Sequence, residues 1–155
     1  MEGLLLGLEQ SPFAAAMRTS VFLYPVANVV HVLGALVFFA AVAAMDVRLL
    51  TAPSIDAARA FIGRVRPVAI AGFLVQLVTG VMLLAPEATH LWHNPVFAWK
   101  IGAIVFGVLN VIAVDVLVRR GWPAMKVPAA VAVGAILSIG AWLGTATAGR
   151  LMAYF

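Results

Sequence analysis

One histidine, His31, lies inside an apolar segment. Tyr24, Asn28 and His31 are spaced four and three apart, so on a helix they share one face, which Ala35 continues. A neutral imidazole offers a ring nitrogen that can bind a metal or accept a proton. Polar groups are costly in hydrocarbon, so this stripe is expected to face protein and not lipid. Other apolar segments carry stripes that could meet it: Gln76 with Thr79, Lys100 with Asn110, and Ser138 with Trp142 and Thr145. His90 and His93 lie in a loop beyond them.

Three chemistries compete for these residues. The first is a b-type haem, which needs two neutral imidazoles on opposite sides of the ring. His31 could supply one and His93 or His90 the other, with Met82 or Met17 as alternative axial ligands. Gly80, Ala103 and Gly107 would make room, and Lys100, Arg18 or Arg150 would pair with the propionates. The second is copper, held by His31, His90 and His93 with thioethers from Met17, Met82 and Met152. The third is a quinone or another small polar ligand held by His31, Gln76 and Asn110, with Tyr24 or a tryptophan stacking on it.

Each residue also has a plain structural reading. His31 could lock helix packing by bonding Gln76, Thr79 or Asn110. Tyr24 and Trp142 could anchor the chain at the membrane interface. Lys100 could snorkel to headgroups, and His90 and His93 could be solvated loop residues. There is no nucleophile–base constellation, no nucleotide motif and no intramembrane pair of carboxylates, so no catalytic mechanism is expected from these residues.

The positioning elements follow from composition. Of 155 residues, 65% are hydrophobic and 10% charged, in recurring apolar stretches long enough to cross a bilayer. Absence of cysteine excludes disulfides, thiolate ligands and thioether-linked haem. The net charge of +4 comes from arginines beside apolar segments, which suits topology better than nucleic-acid binding. Spanning segments are expected at about 21–50, 67–85, 96–118 and 124–148, in one domain over 1–155. Residues 1–20 read as an amphipathic surface helix, with Ser11 as cap and Pro12 in the first turn. Its start lacks the basic residues of a secretory signal, although Ala14–Ala16 is a passable cleavage site. The stretch 51–66 reads as an aqueous or interfacial linker, and Asp115 with Arg119 as a surface ion pair of little weight. Gly140 and Gly144 permit close helix approach, within the bundle or to a neighbour.

Basic residues give the orientation. Arg48, Arg59, Arg64, Arg66, Arg119, Arg120 and Lys126 flank the first and third connections, while Arg18, Lys100 and Arg150 lie at the other side. The first group is expected in the cytoplasm, which leaves both termini and the loop with His90 and His93 periplasmic. Trp92, Trp99 and Trp142 then fall near the outer interface and Trp122 near the inner one.

The chain resembles a family of small bacterial four-helix integral membrane proteins classed as a domain of unknown function. The resemblance rests on the block from Arg18 through Tyr24-Pro25, Asn28 and His31 to Gly34, on Asp46-Val47-Arg48-Leu49-Leu50, and on Thr79-Gly80. It continues through Asn94 to Phe97, Lys100 and Asn110. A looser similarity runs to copper-resistance-type membrane proteins and to cytochrome b561-like bundles, although paired helix-interior histidines are missing. The resemblance implies an all-α, up-down bundle of four transmembrane helices and says almost nothing about activity. The expectation is thus an inner-membrane, redox-associated subunit binding haem b or a quinone in the outer half. The alternatives are copper handling or solute transport, or a ligand-free subunit of a larger complex or homo-oligomer. Beyond these subunits, the lipid bilayer is the expected partner.

Overall fold

The computed structural model describes residues 2–119 and 127–154, the side chain of Ala153 excepted. The expectations for Arg120, Gly121, Trp122, Pro123 and Lys126, and for a helix start at 124, lie outside the described residues. The order is α1 (Glu2–Glu9), α2 (Pro12–Thr19), α3 (Leu23–Thr51), α4 (Ile55–Leu84), a 3-10 turn (Ala85–Glu87), α5 (Ala88–His93), α6 (Pro95–Arg119), α7 (Ala129–Leu151) and a closing 3-10 turn (Met152–Tyr154). Four helices, α3, α4, α6 and α7, are long and apolar enough to cross a membrane.

Several boundaries differ from the sequence expectation. Helix α4 begins at Ile55, not near Pro67, and takes in most of the expected linker. Ser54 caps it, its side chain accepting from the Ala57 amide at 3.3 Å, and Asp56 lies in the first turn. Pro67 sits inside the helix and lacks the N–H that would reach Gly63. Residues 2–19 form two short helices, and the turn between them is closed by the Ser11 hydroxyl, which donates to Leu8 O at 2.6 Å and accepts from Ala14 N at 3.1 Å. The loop after Pro86 winds into α5. Helix α7 opens after Pro128, whose extended backbone makes it an N-cap.

Helices α3 and α4 pack antiparallel, since His31 meets Thr79, Phe38 meets Gly72, and Leu49 clusters with Ile55 and Ala58. A Cβ at Gly72 would lie 3.0 Å from Phe38 Cβ and 3.1 Å from its Cα, so glycine lets the backbones cross closely. Helices α6 and α7 pair in the same sense, with Asn110 against Gly134 and Lys100 beside Gly149. Phe38 and Trp142 join the two hairpins, their rings 4.6 Å apart edge to face.

Helices α4 and α6 behave differently. Their backbones scarcely approach each other, and side chains bridge them near one end. Arg59 Nε donates to the Val118 carbonyl at 2.8 Å, capping the C-terminal end of α6. Arg66 pairs with Asp115, which also pairs with Arg119 at 2.8 Å. The expected Asp115–Arg119 pair is thus present, and Arg66 extends it into an interhelical tie.

The far end carries a cap made of α1, α2, the 3-10 turn and α5. Ala14, Met17, Ala85 and Ala88 are buried within it. Arg18 Nη1 donates to the carbonyls of Glu9 at 3.0 Å and Pro86 at 3.1 Å. The Glu9 carboxylate accepts from the Thr89 amide at 2.8 Å and from the Thr89 hydroxyl. These two bonds hold the Glu9 carboxyl below its ordinary range. The opposite end, where α3 turns into α4, is here termed the hairpin end.

Candidate functional site

Several polar side chains of the long helices are taken up in pairs, His31, Thr79 and Gln76 toward the capped end and Asn110 nearer the hairpin end. The Thr79 hydroxyl donates to Val75 O at 2.6 Å, and its oxygen lies 2.7 Å from His31 Nδ1. The hydroxyl hydrogen is committed, so His31 Nδ1–H is the donor and Nε2 carries the lone pair. Gln76 Nε2 donates to the His31 carbonyl at 2.6 Å. Asn110 Nδ2 donates to Gly134 O at 2.8 Å, clasping α6 to α7.

The remaining expected residues are dispersed. Tyr24 is 39% exposed, and Asn28, on the same outward face of α3, is exposed as well. In this chain that face is not covered by protein. Lys100 is half-buried, its Nζ 3.5 Å from where a Cβ on Gly149 would stand. His90 is exposed. His93 is exposed too, with Nδ1 2.8 Å from Thr89 O and Nε2 3.7 Å from Glu2. Met82 is half-buried on α4, and Met17 is core filler in the cap. Arg150 reaches the Tyr154 hydroxyl at 3.5 Å and lies over its ring. Among the described residues no three His, Asp or Glu side chains group in a way that could hold a metal. Nor does any hydrogen bond or ion pair among them link His31 to His90, His93 or Met82.

A cleft opens elsewhere, between α4 and α6 and toward the hairpin end. It has a volume of about 360 Å³ and an almost wholly apolar wall. Ile70 and Leu74 of α4 with Val111 and Ile112 of α6 form its exposed rim. Phe38, Asp46, Ser138 and Trp142 line its depth. The arginine ties to Val118 and Asp115 cross between the same two helices at its hairpin end.

Three buried residues that line the cleft carry polar atoms without a hydrogen bond of ordinary geometry. Asp46 is 6% exposed, Ser138 1% and Trp142 6%. Ser138 is the polar neighbour of Asp46, yet Asp46 Oδ2, Ser138 Oγ and Trp142 Nε1 lack hydrogen-bond partners among the described residues. An unmet buried donor or acceptor costs about 1–3 kcal/mol, so three on one wall call for an explanation such as a ligand.

Trp142 is not the interfacial anchor that its sequence position suggested. Its ring is enclosed by Phe38, Phe39 and Phe73 and rests on Gly107, where a Cβ would come within 2.9 Å of the indole. Asp46 had marked only the end of a segment. Its spacing already contained a signal: Phe38, Val42, Asp46 and Leu49 follow at four, four and three, so Asp46 shares the buried face of α3.

Comparisons with protein-family models, curated proteins and solved structures return no match. The chemistry of the cleft is therefore the main guide to function.

Proposed function

We propose that this chain is an integral membrane protein of the bacterial inner membrane that holds a quinone-class ligand in the α4–α6 cleft, as a redox-associated subunit. The four long helices form an up-down bundle with the hairpin end in the cytoplasm and both termini in the periplasm. Arg48, Arg59, Arg64, Arg66 and Arg119 at the hairpin end support that orientation. Exposed Leu4, Leu6 and Phe13 support α1 and α2 as helices lying in the outer interface.

The carrying observation is the cleft itself: a lateral opening on the lipid-facing side, apolar walls, and three unpartnered polar atoms at its bottom. A lipophilic molecule with a small polar head fits that distribution, with its tail between Ile70, Leu74 and Val111. Ligand pockets between bundle helices commonly combine such walls with a few polar groups. This moves the site from the outer half, around His31, to the inner half around Asp46.

The residues present do not fit a bis-histidine haem. His31 keeps one free ring nitrogen, but no second imidazole stands opposite it, and the cleft wall does not include His31. A copper site meets the same difficulty, since His90 and His93 are exposed and Met17 is packed into the cap. The test is organic extraction of detergent-purified protein with mass spectrometry of the extract, alongside an absorption spectrum before and after dithionite. A quinone at near one per chain and no Soret band is the expected result. A Soret band would restore the haem reading, and an extract with membrane lipids alone would overturn the quinone reading.

Exposed Asn28 favours a second reading, a subunit of a larger complex whose neighbour covers α3. A polar amide facing lipid is costly, and an interhelical hydrogen bond would relieve it. Loss of a co-purifying chain, or of a dimer, in Asn28→Leu would support it. An unchanged native mass would count against it.

A further inference from the structure

The unpartnered groups differ in what they can bond, and that difference selects a ligand state. Trp142 Nε1–H is a donor only. Ser138 Oγ can donate or accept. Asp46 Oδ2 is purely an acceptor when the carboxyl is ionised, whereas a protonated carboxyl would also donate. With Asp46 ionised, a head group that satisfies all three must present a hydroxyl hydrogen to Asp46 and an oxygen lone pair to Trp142.

We infer that the cleft, with Asp46 as a carboxylate, prefers the reduced, hydroxyl-bearing form of its ligand, a quinol over the corresponding quinone. This rests on the quinone-class reading above and deepens it. A quinol carries both the donor and the acceptor. A quinone has acceptors alone, so it can meet Trp142 and Ser138 but sets a carbonyl oxygen against the Asp46 carboxylate. Placement agrees with this. Asp46, Val42 and Trp142 line both the large cleft and a smaller cavity of about 90 Å³ between α3 and α7. The carboxyl and the indole thus sit together in the partition between two spaces and can share one head group. Phe38, Phe73 and Val108 wall the cleft around them, and its other polar lining residues, Arg66, Asn110 and Asp115, are engaged in pairs of their own.

The experiment is equilibrium binding of a decyl-substituted benzoquinone and of its quinol, kept anaerobic, to the full chain in nanodiscs. A hydrogen bond to a charged group corresponds to roughly tenfold or more in affinity, so the quinol is expected to bind about tenfold tighter. Asp46→Leu should erase the preference by weakening the quinol, while the quinone, freed of the opposing carboxylate, binds as well as before or better. Asp46→Asn keeps the shape and adds a donor. It should bring the two affinities together by strengthening the quinone, and it serves if the leucine variant does not fold. Equal affinities in the unaltered protein, a tighter quinone, or a preference that survives both substitutions would overturn the inference. Binding of neither form would instead remove the quinone-class reading beneath it.

Discussion

The helix contacts and the cleft treat polar residues in opposite ways. Toward the cap, the His31 ring is bonded to Thr79, and Gln76 to the His31 carbonyl. On the other hairpin, Asn110 is bonded to Gly134. Each pair ties one helix to its neighbour, so polarity there is used for assembly. Along the α4–α6 cleft, Asp46 Oδ2, Ser138 Oγ and Trp142 Nε1 belong to more deeply buried residues and are unpaired among the described residues. A polar residue in a spanning helix is expensive in either case. When a protein partner meets it, packing explains it. When none does, a ligand becomes the natural explanation. His31 attracts attention in the sequence, yet Asp46 is the ionisable residue with an unpaired oxygen beside the cleft.

Substitutions can break this contrast at different points. The largest effect is expected for Trp142→Ala, which empties the space among Phe38, Phe39 and Phe73. It should cost about 3–5 kcal/mol in reversible unfolding from mixed micelles and abolish ligand retention. Gly72→Ala drives a methyl against Phe38 at 3.0 Å and should cost about 1–3 kcal/mol in the same assay. Thr79→Val leaves His31 Nδ1–H without its acceptor, and should cost on the order of 0.6–1.7 kcal/mol while the cleft keeps its ligand. Asp46→Leu sharpens the comparison from the other side. It removes an unpaired group, so stability should hold or rise while the quinol preference is lost. A large destabilisation by Asp46→Leu, with ligand binding intact, would show that Asp46 is structural after all.

The smallest effect concerns the cap. The Glu9 carboxyl titrates below its ordinary value of 4.5 because Thr89 bonds to its ionised form. Its contribution is thus complete above that value and is lost as pH falls through the lower, folded one. Protection of the Thr89 amide, its exchange rate relative to the intrinsic rate at the same pH, should be high near neutrality and fall in acid, with the four long helices unaffected. Equal protection at both pH values would mean that ionised Glu9 contributes nothing to holding α1 against α5.

Much of the frame was legible in the residues. Four apolar stretches near twenty residues long mark four helices because a bilayer needs that length, and Ser11-Pro12 marks the start of α2. The start of α4 was hidden because Pro67 and three arginines resemble an interface, although Ser54 with Asp56 is a sound helix beginning. Polar stripes were visible from spacing, but spacing fixes a face and not the neighbour across it. That is why Trp142 could be read as an interfacial anchor, while in the fold it packs on Gly107 and Phe38. The separation of α4 and α6 has no local signature. It follows from how α3 and α7 bring two hairpins together, and the cleft follows from it.

The central claim is that the unpartnered groups at the bottom of the cleft mark a ligand site. It is tested most directly by native mass spectrometry of the chain released from its own membranes, beside Val111→Trp, whose indole would fill the cleft from its rim. The account predicts one tightly held quinone-class molecule per chain in the unaltered protein, and its loss from the variant with folding retained. The same bound species on both proteins, or none on either, would contradict it.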